Sequence, residues 1–483
     1  MAPRPGDQPT SGRSAGRIRA TAAVYIILGV VQRSLALILL PLVTRVLTPA
    51  EYGLVSLATT TVTVVGFVVA SSAEPPLFRA LVIGEMPFAL TARRYLLWYL
   101  PVVTLLLGGA IVLISGTTVT ALTWALELAS AGPLAALSIY ALPLCRAQDK
   151  LRLFILLSLS WVILLAATKI VFLAWLLPGP VGWAASDLLA AIVGWFLSVL
   201  SLRTTGKVFG KVRMPWKEFA STCAPLIPQR MALWGLTVGS RPVLGPFVTS
   251  EQLGLFALAA NLASVALVLL TEANRAMHLE YAREKIPAPT SITRSVAQTQ
   301  VLAAILLPAV LSAGIAIAGP LVITSAFVAS AALAAPLLVG QVLYGLHVIP
   351  MNYIMMTAGR FRWSSLAPAA GAIATVSMVA LGGAVGSVSI AAVGSAAGSL
   401  ILLVAAWWTV RLEGLDLRWR ALVPRPLPLG LSIVALFTGL ASLMTYPTTL
   451  SLALGAGSMT LVLLAGLLIV VLSNTRAHLP EHR

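Results

Sequence analysis

Negative charge is scarce in this chain. Asp and Glu supply only 15 of 483 residues, and all charged residues together make up 10%. A soluble domain of this length covers itself with charged side chains, so one water-soluble core is excluded. Cysteine is almost missing too. Cys145 and Cys223 fall near the basic ends of expected helices, which excludes a disulfide framework and leaves them as packing residues. Only His347 of four histidines lies inside an apolar run, and a packed neutral imidazole is expected there rather than a proton relay. No spacing suits a metal, and no cofactor is expected. The Gly-rich stretch from Leu381 to Ser399 follows no strand, so it is not a phosphate loop. Alternating ten-residue strands are missing as well, which excludes a membrane barrel.

Apolar side chain dominates what is there. Hydrophobic residues make up 59% of the chain, in runs of the roughly 20 residues that cross a ~30 Å hydrocarbon layer as helix. The reading is an all-α polytopic membrane protein with about fourteen spans, centred near residues 35, 63, 104, 133, 165, 192, 234, 263, 308, 343, 374, 401, 436 and 461. All but five of the 32 Lys and Arg residues fall in alternate connections and in the two tails, the asymmetry that marks cytoplasmic segments. Both termini are therefore expected in the cytoplasm. Residues 1–19 read as a disordered basic tail and 476–483 as a second short one; the first apolar run is too long for a cleaved signal peptide. The net charge of +17 is then a topological signal reinforced by anionic inner-leaflet lipids, and no nucleic-acid partner is expected. Outer connections such as Pro178 to Pro180 and Thr249 to Gln252 are too short to house an enzyme site.

An internal repeat organises the spans. TPAEYGLVSLA (Thr48 to Ala58) and TSEQLGLFALA (Thr249 to Ala259) share Thr, Gly, Leu, Leu and Ala at an offset of 201, which also pairs Pro41 with Pro242. Six spans separate the copies. An even number keeps their orientation, so the repeats are parallel and related by an axis along the membrane normal. Two pseudo-symmetric six-helix lobes follow, at 20–217 and 218–420, with two further helices at 421–475.

Five cations escape the basic loops, namely Arg33, Arg45, Lys169, Arg230 and Arg241. Arg33 stands about 20 Å beyond Ala20 at 1.5 Å per residue, on a small and polar stripe with Tyr25, Gly29 and Gln32. Gln229-Arg230 repeats the Gln32-Arg33 pair, displaced by four residues when mapped by the offset. Arg230, Trp234, Thr237 and Arg241 follow spacings of four, three and four, which aligns them on one face of a continuous helix with its two arginines about 16 Å apart. Each arginine either meets a carboxylate of its own lobe or lines a substrate path, and we take the second reading because ionisable groups inside membranes mark such paths. Lys169 and Asp187 lie at similar depths, roughly 10 to 14 Å from the outer hairpin at Pro178–Pro180. They read as a buried ion pair or gate in the outer half, joined by Glu127. Pro41, Pro225, Pro228, Pro242 and Pro350 are candidate hinges, and the tryptophans, Trp183 among them, read as interfacial anchors.

Two segments carry a family resemblance. RVLTPAEYGLVSL (Arg45 to Leu57) and APLIPQRMALWGLTVGSRPVLGPFVTSEQLGLFALA (Ala224 to Ala259) resemble the polysaccharide transporter family, the lipid-linked oligosaccharide flippases of O-antigen type, within the superfamily that includes multidrug and toxin extruders. The resemblance implies a V-shaped, two-lobe bundle in a bacterial inner membrane. It implies a flippase that moves a polyprenyl-pyrophosphate-linked glycan. From the depth and facing of the cations we expect alternating access, with Arg33 and Arg230 on the pyrophosphate and Gln32, Gln229, Trp234, Thr237 and Arg241 around them. Membrane lipids and a glycan polymerase or glycosyltransferase are the partners it suggests. Many family members have twelve helices, so the last two here are extra; a groove for the lipid tail is one role for them. Three alternatives stand beside this reading. A multidrug exporter of the same fold needs a carboxylate in the central cleft. A membrane glycan polymerase or glycosyltransferase needs acid or base residues on its outer loops. A non-transporting scaffold of a polysaccharide assembly complex tolerates loss of both arginines.

Overall fold

The computed structural model describes residues 38–83, 86–148, 150–204, 213–283, 291–358, 363, 365–415, 417 and 422–477, and among them there is no strand. Eleven helical stretches of the described residues are long and apolar enough to cross a membrane, from Met86–Ser115 to Thr449–Leu472. Their outer surfaces leave large apolar side chains bare, among them Leu106, Ile163, Phe196, Ile373, Phe437 and Leu463. Lipid is the solvent that such a surface needs. The chain is a multi-pass helical membrane protein.

The first half is built from α1 (Leu40–Val46), α2 (Pro49–Thr63), α3 (Glu74–Ile83), α4 (Met86–Arg94), α5 (Leu100–Ser115), α6 (Val119–Ala135), α7 (Leu142–Ala147), α8 (Leu151–Val171) and α9 (Pro180–Thr204). The second half holds α10 (Trp216–Cys223), α11 (Ile227–Thr237), α12 (Ser240–Leu244), α13 (Ser250–Arg283), α14 (Ser291–Val322), α15 (Ala329–Asn352), α16 (Leu366–Ala384) and α17 (Val388–Leu412). Then come α18 (Pro426–Met444) and α19 (Thr449–Ala477), which pair with each other and lie against α14.

Spans expected near residues 35, 63 and 234 are not among the eleven. Most of the first lies outside the described residues, which begin at Ile38 just before α1. The second changes gauge on its way. α2 passes into a π-helical stretch at Val64–Ala70 and a 3-10 turn at Ser71–Ala73 before α3. Such wide turns re-aim side chains and recur at functional sites. The seventh is broken twice. Pro225 lies within the 3-10 turn Ala224–Leu226 and Pro228 just after it, and after Thr237 the chain departs from helix at Val238 before α12. Each proline removes an N–H from the ladder, which favours those breaks.

The repeat proves to be a helix-start signal written twice. Thr48 Oγ1 accepts from the Glu51 backbone N–H at 3.3 Å, while Glu51 Oε2 accepts from the Thr48 N–H at 2.8 Å. In the second copy Thr249 Oγ1 and Gln252 Oε1 exchange the same two bonds, both at 3.2 Å. Both are capping boxes, T-x-x-E and T-x-x-Q, which satisfy orphan donors where helices begin. Five residues into each helix stands the shared glycine. α2 and α13 cross there in direct backbone contact: a Cβ on Gly53 would run into the Ser250 carbonyl oxygen, and one on Gly254 into that of Pro49.

Around this crossing lies a core drawn from both halves, with Leu40, Val43 and Tyr52 of the first against Leu253, Phe256 and Phe327 of the second. A different core fills the opposite, basic end of the first half, and Phe219 and Cys223 of α10 belong to it. The Thr91 hydroxyl donates to the Met214 carbonyl at 2.9 Å and anchors the approach to α10. α11, by contrast, packs on α16. One interrupted helix therefore has its basic end in one half and its middle in the other, with Pro225 and Pro228 between.

Candidate functional site

Five of the ten expected site residues lie along the broken seventh helix, and the breaks give them different tasks. Arg230 is half-buried, with its side chain 20% exposed. Its Nη2 lies 3.9 Å from Glu74 Oε2, and the Glu74 side chain is 40% exposed. That separation is attraction without a hydrogen bond. The acid stands at the start of α3, so it comes from the facing half and not from the arginine's own. One turn on, the Trp234 indole N–H faces α2, 3.2 Å from Thr63 Oγ1 and 3.3 Å from the Thr60 carbonyl oxygen. Thr237 donates to the Leu233 carbonyl at 2.8 Å in its own helix, and Gln229 is half-buried beside Arg230.

Arg241 does not share this environment. A straight helix would set it on the face of Arg230, but the departure at Val238 separates α11 from α12. Arg241 is 7% exposed, donates from Nη2 to Asn261 Oδ1 at 2.6 Å, and keeps a buried Nε without a partner. The Asn261 amide N–H₂ in turn donates to the Tyr52 hydroxyl of the first half. Tyr52 meets Phe327 and Trp183 edge-on, at centroid distances of 5.9 and 6.2 Å. Beside it Thr44 donates to the Val322 carbonyl at 2.8 Å, and Thr324 donates back to that of Thr44 at 2.8 Å. Together with Gly53 and Gly254 these groups close the two halves at the end away from the basic loops.

The third cluster lies within the first half. Lys169 Nζ approaches Asp187 Oδ2 at 2.6 Å, donates to the Trp183 carbonyl at 3.0 Å, and sits 3.5 Å from the centre of the Trp183 ring. Its side chain is only 3% exposed. Two hydrogen bonds and a π face saturate the ammonium. Trp183 is thus the cover of a buried cation, and not the interfacial anchor that its place near the Pro178–Pro180 hairpin suggests. Glu127 is buried beside Thr59, Asp187 and Lys169, and its Oε1 has no hydrogen-bond partner.

Arg33 and Gln32 lie outside the described residues. Among the described residues no three or more His, Cys, Asp and Glu are grouped to hold a metal ion. His347 is buried with its Nδ1 against the Tyr344 carbonyl, and Cys145 and Cys223 are free and buried. Sequence reasoning missed Tyr52, Asn261 and the reach of Glu74 across the halves. Asn261 left a trace, as an unaccompanied amide in the apolar run FALAANLASVALVLL. Tyr52 left a fainter one, since the other copy of the repeat has Leu253 at its place.

A family model described as a polysaccharide biosynthesis protein matches residues 18–277. No curated protein matches the chain in sequence. Among solved structures, the lipid II flippase MurJ in its inward closed conformation superposes with a TM-score of 0.63 at 13% identity, over 93% of this chain and 98% of that one. The multidrug transporter DinF-BH, of the MATE type and in complex with R6G, gives 0.57 at 14% identity over 84% and 98%. An inward-facing multidrug resistance transporter of the MATE family and MOP superfamily gives 0.56 at 13% identity over 79% and 94%. At such identities the likeness is one of fold. That fold is an all-helical transporter fold.

Proposed function

The chain belongs to the polysaccharide biosynthesis protein family, and from that premise we propose that it is a flippase for a polyprenyl-pyrophosphate-linked oligosaccharide in a bacterial inner membrane. The observation that carries this reading is Arg230. It is a cation within a broken helix, partly open, and among the described residues it is ion-paired only at 3.9 Å, with an exposed carboxylate of the other half. A pyrophosphate offers what Glu74 there does not, close paired acceptors for a planar guanidinium. Entry of the headgroup releases Glu74, and with it the one ion pair among the described residues that joins the halves at this level. The halves then reverse around the site while the lipid tail stays in the bilayer, as in alternating access. The closure at Gly53 and Gly254 is the outer seal of the starting state.

Arg33 enters through the repeat. The offset of 201 equates position 33 with Trp234, and Thr60 and Thr63 with Asn261 and Ser264. We propose that Arg33 joins Arg230 on the pyrophosphate, with Gln32 and Gln229 around them. Lys169, Asp187 and Glu127 serve as a rigid staple of the first half, next to the outer seal.

The likeness to multidrug transporters keeps a second reading alive, since Glu74 is a carboxylate exposed between the halves. The two readings differ in sign. In proteoliposomes loaded with a pyrophosphate-linked glycan, Arg230→Ala abolishes transbilayer movement under the flippase reading, while Glu74→Gln spares it. Loss of cationic-drug efflux in Glu74→Gln, with glycan movement intact in Arg230→Ala, overturns the proposal.

A further inference from the structure

Far from Arg230, where α14, α18 and α19 meet, a cavity of about 240 Å³ opens at the surface. Its floor and rim are unlike in chemistry. Ser295, Gln298 and Arg425 supply polar groups, while Leu302, Ile469 and Leu472 make an apolar wall. We propose that this is a binding site for the phosphate of an anionic membrane phospholipid, separate from the transport path and independent of what the protein carries.

Charge comes first in the argument. Arg425 is exposed at the start of α18, and no ion pair of the described residues engages it. The exposed Arg294 adjoins Ser295 at the same end. A guanidinium in reach of lipid takes a phosphodiester as its natural counter-ion. Pro424, Pro426 and Pro428 strip three N–H groups from the turn that opens α18, so an anion here is held by side chains and not by a bare helix end.

The rest of the site is fixed in advance. Gln298 donates from Nε2 to the Val423 carbonyl at 3.0 Å, which ties the segment carrying Arg425 to α14. Its second amide hydrogen and the Ser295 hydroxyl remain as donors for an anion. Thr299 has already spent its hydroxyl hydrogen on the Ser295 carbonyl at 2.9 Å, so it contributes shape and no donor. Size then selects the guest. The cavity is smaller than the ~300–1,000 Å³ of sites that enclose a drug-sized molecule, and so it holds a headgroup while the chains run outside along Leu302 and Leu472.

The test is native mass spectrometry of the full chain, released from nanodiscs of phosphatidylglycerol or of phosphatidylcholine, with titrated re-addition of each lipid. One tightly held phosphatidylglycerol is expected, with phosphatidylcholine bound more weakly. Arg425→Gln is expected to weaken it roughly tenfold or more, the scale of a lost hydrogen bond to a charged group, and Ser295→Asp to do the same by repulsion at an exposed position that tolerates it. Arg425→Lys restores part of the loss. Equal retention of phosphatidylglycerol by wild type, Arg425→Gln and Ser295→Asp overturns the proposal. So does displacement of the lipid by millimolar inorganic phosphate, which would make this a site for the free ion.

Discussion

Two ion pairs divide the work of this molecule. Lys169 and Asp187 meet at 2.6 Å within one half, with the cation 3% exposed and capped by Trp183. Arg230 and Glu74 face each other at 3.9 Å between the halves, 20% and 40% exposed. In the first, the ammonium holds two hydrogen bonds and a π face. In the second, water and any anionic visitor compete with the carboxylate. A saturated pair holds a fold together, whereas a loose one can change partners. The same contrast separates the crossing of α2 and α13, which touch backbone to backbone, from the open surroundings of Arg230.

The comparison can be broken in graded steps. Asp187→Asn breaks the 2.6 Å pair and leaves the buried Lys169 to the neighbouring Glu127, and is expected to cost up to about 3–5 kcal/mol. Thermal unfolding in detergent reads that loss, and Lys169→Met in the same chain recovers much of it. Gly254→Val drives a side chain into the Pro49 carbonyl and should cost the sealed state about 1–3 kcal/mol or more. A cysteine pair at Thr44 and Thr324, where the Thr324 hydroxyl now donates to the Thr44 carbonyl, cross-links in the parent and fails to do so in that variant.

Arg230→Ala reverses the pattern. Its pair is half-exposed, so stability should move by no more than about 1 kcal/mol, yet glycan movement should fall at least tenfold, about 1.4 kcal/mol of lost binding. A stability loss as large as that of Asp187→Asn would erase the distinction between the pairs. Smallest of all is Tyr52→Phe, which removes one neutral hydrogen bond to Asn261 at about 1 kcal/mol. It should raise the rate at which a single cysteine introduced at Thr324 reacts with a water-soluble maleimide, with little change in melting temperature.

Much of this organisation is legible in the residues. The eleven regular spans follow from apolar length alone, and the duplicated Thr-x-x-Glu/Gln spells out two helix starts before any coordinates. Lys169 and Asp187 find each other by depth, since both are counted from one short hairpin. The seventh helix is where counting fails. Periodicity treats Arg230 and Arg241 as neighbours on a single face, but the chain leaves helix at Val238 and sends one to an exposed acid and the other to a buried amide. Glu74 eluded the reading for a related reason. The π and 3-10 turns between Val64 and Ala73 shift every later position on the span, so no fixed angle per residue shows that its carboxylate faces the other half.

The meeting of Gly53 with Gly254 has a consequence for how the contact between the halves responds to its surroundings. A junction of bare main chain holds no proton to lose and no charge for counter-ions to shield, so acidity and ionic strength leave that seam alone. Ionic strength acts instead at the other end, where Arg230 and Glu74 stand partly in water.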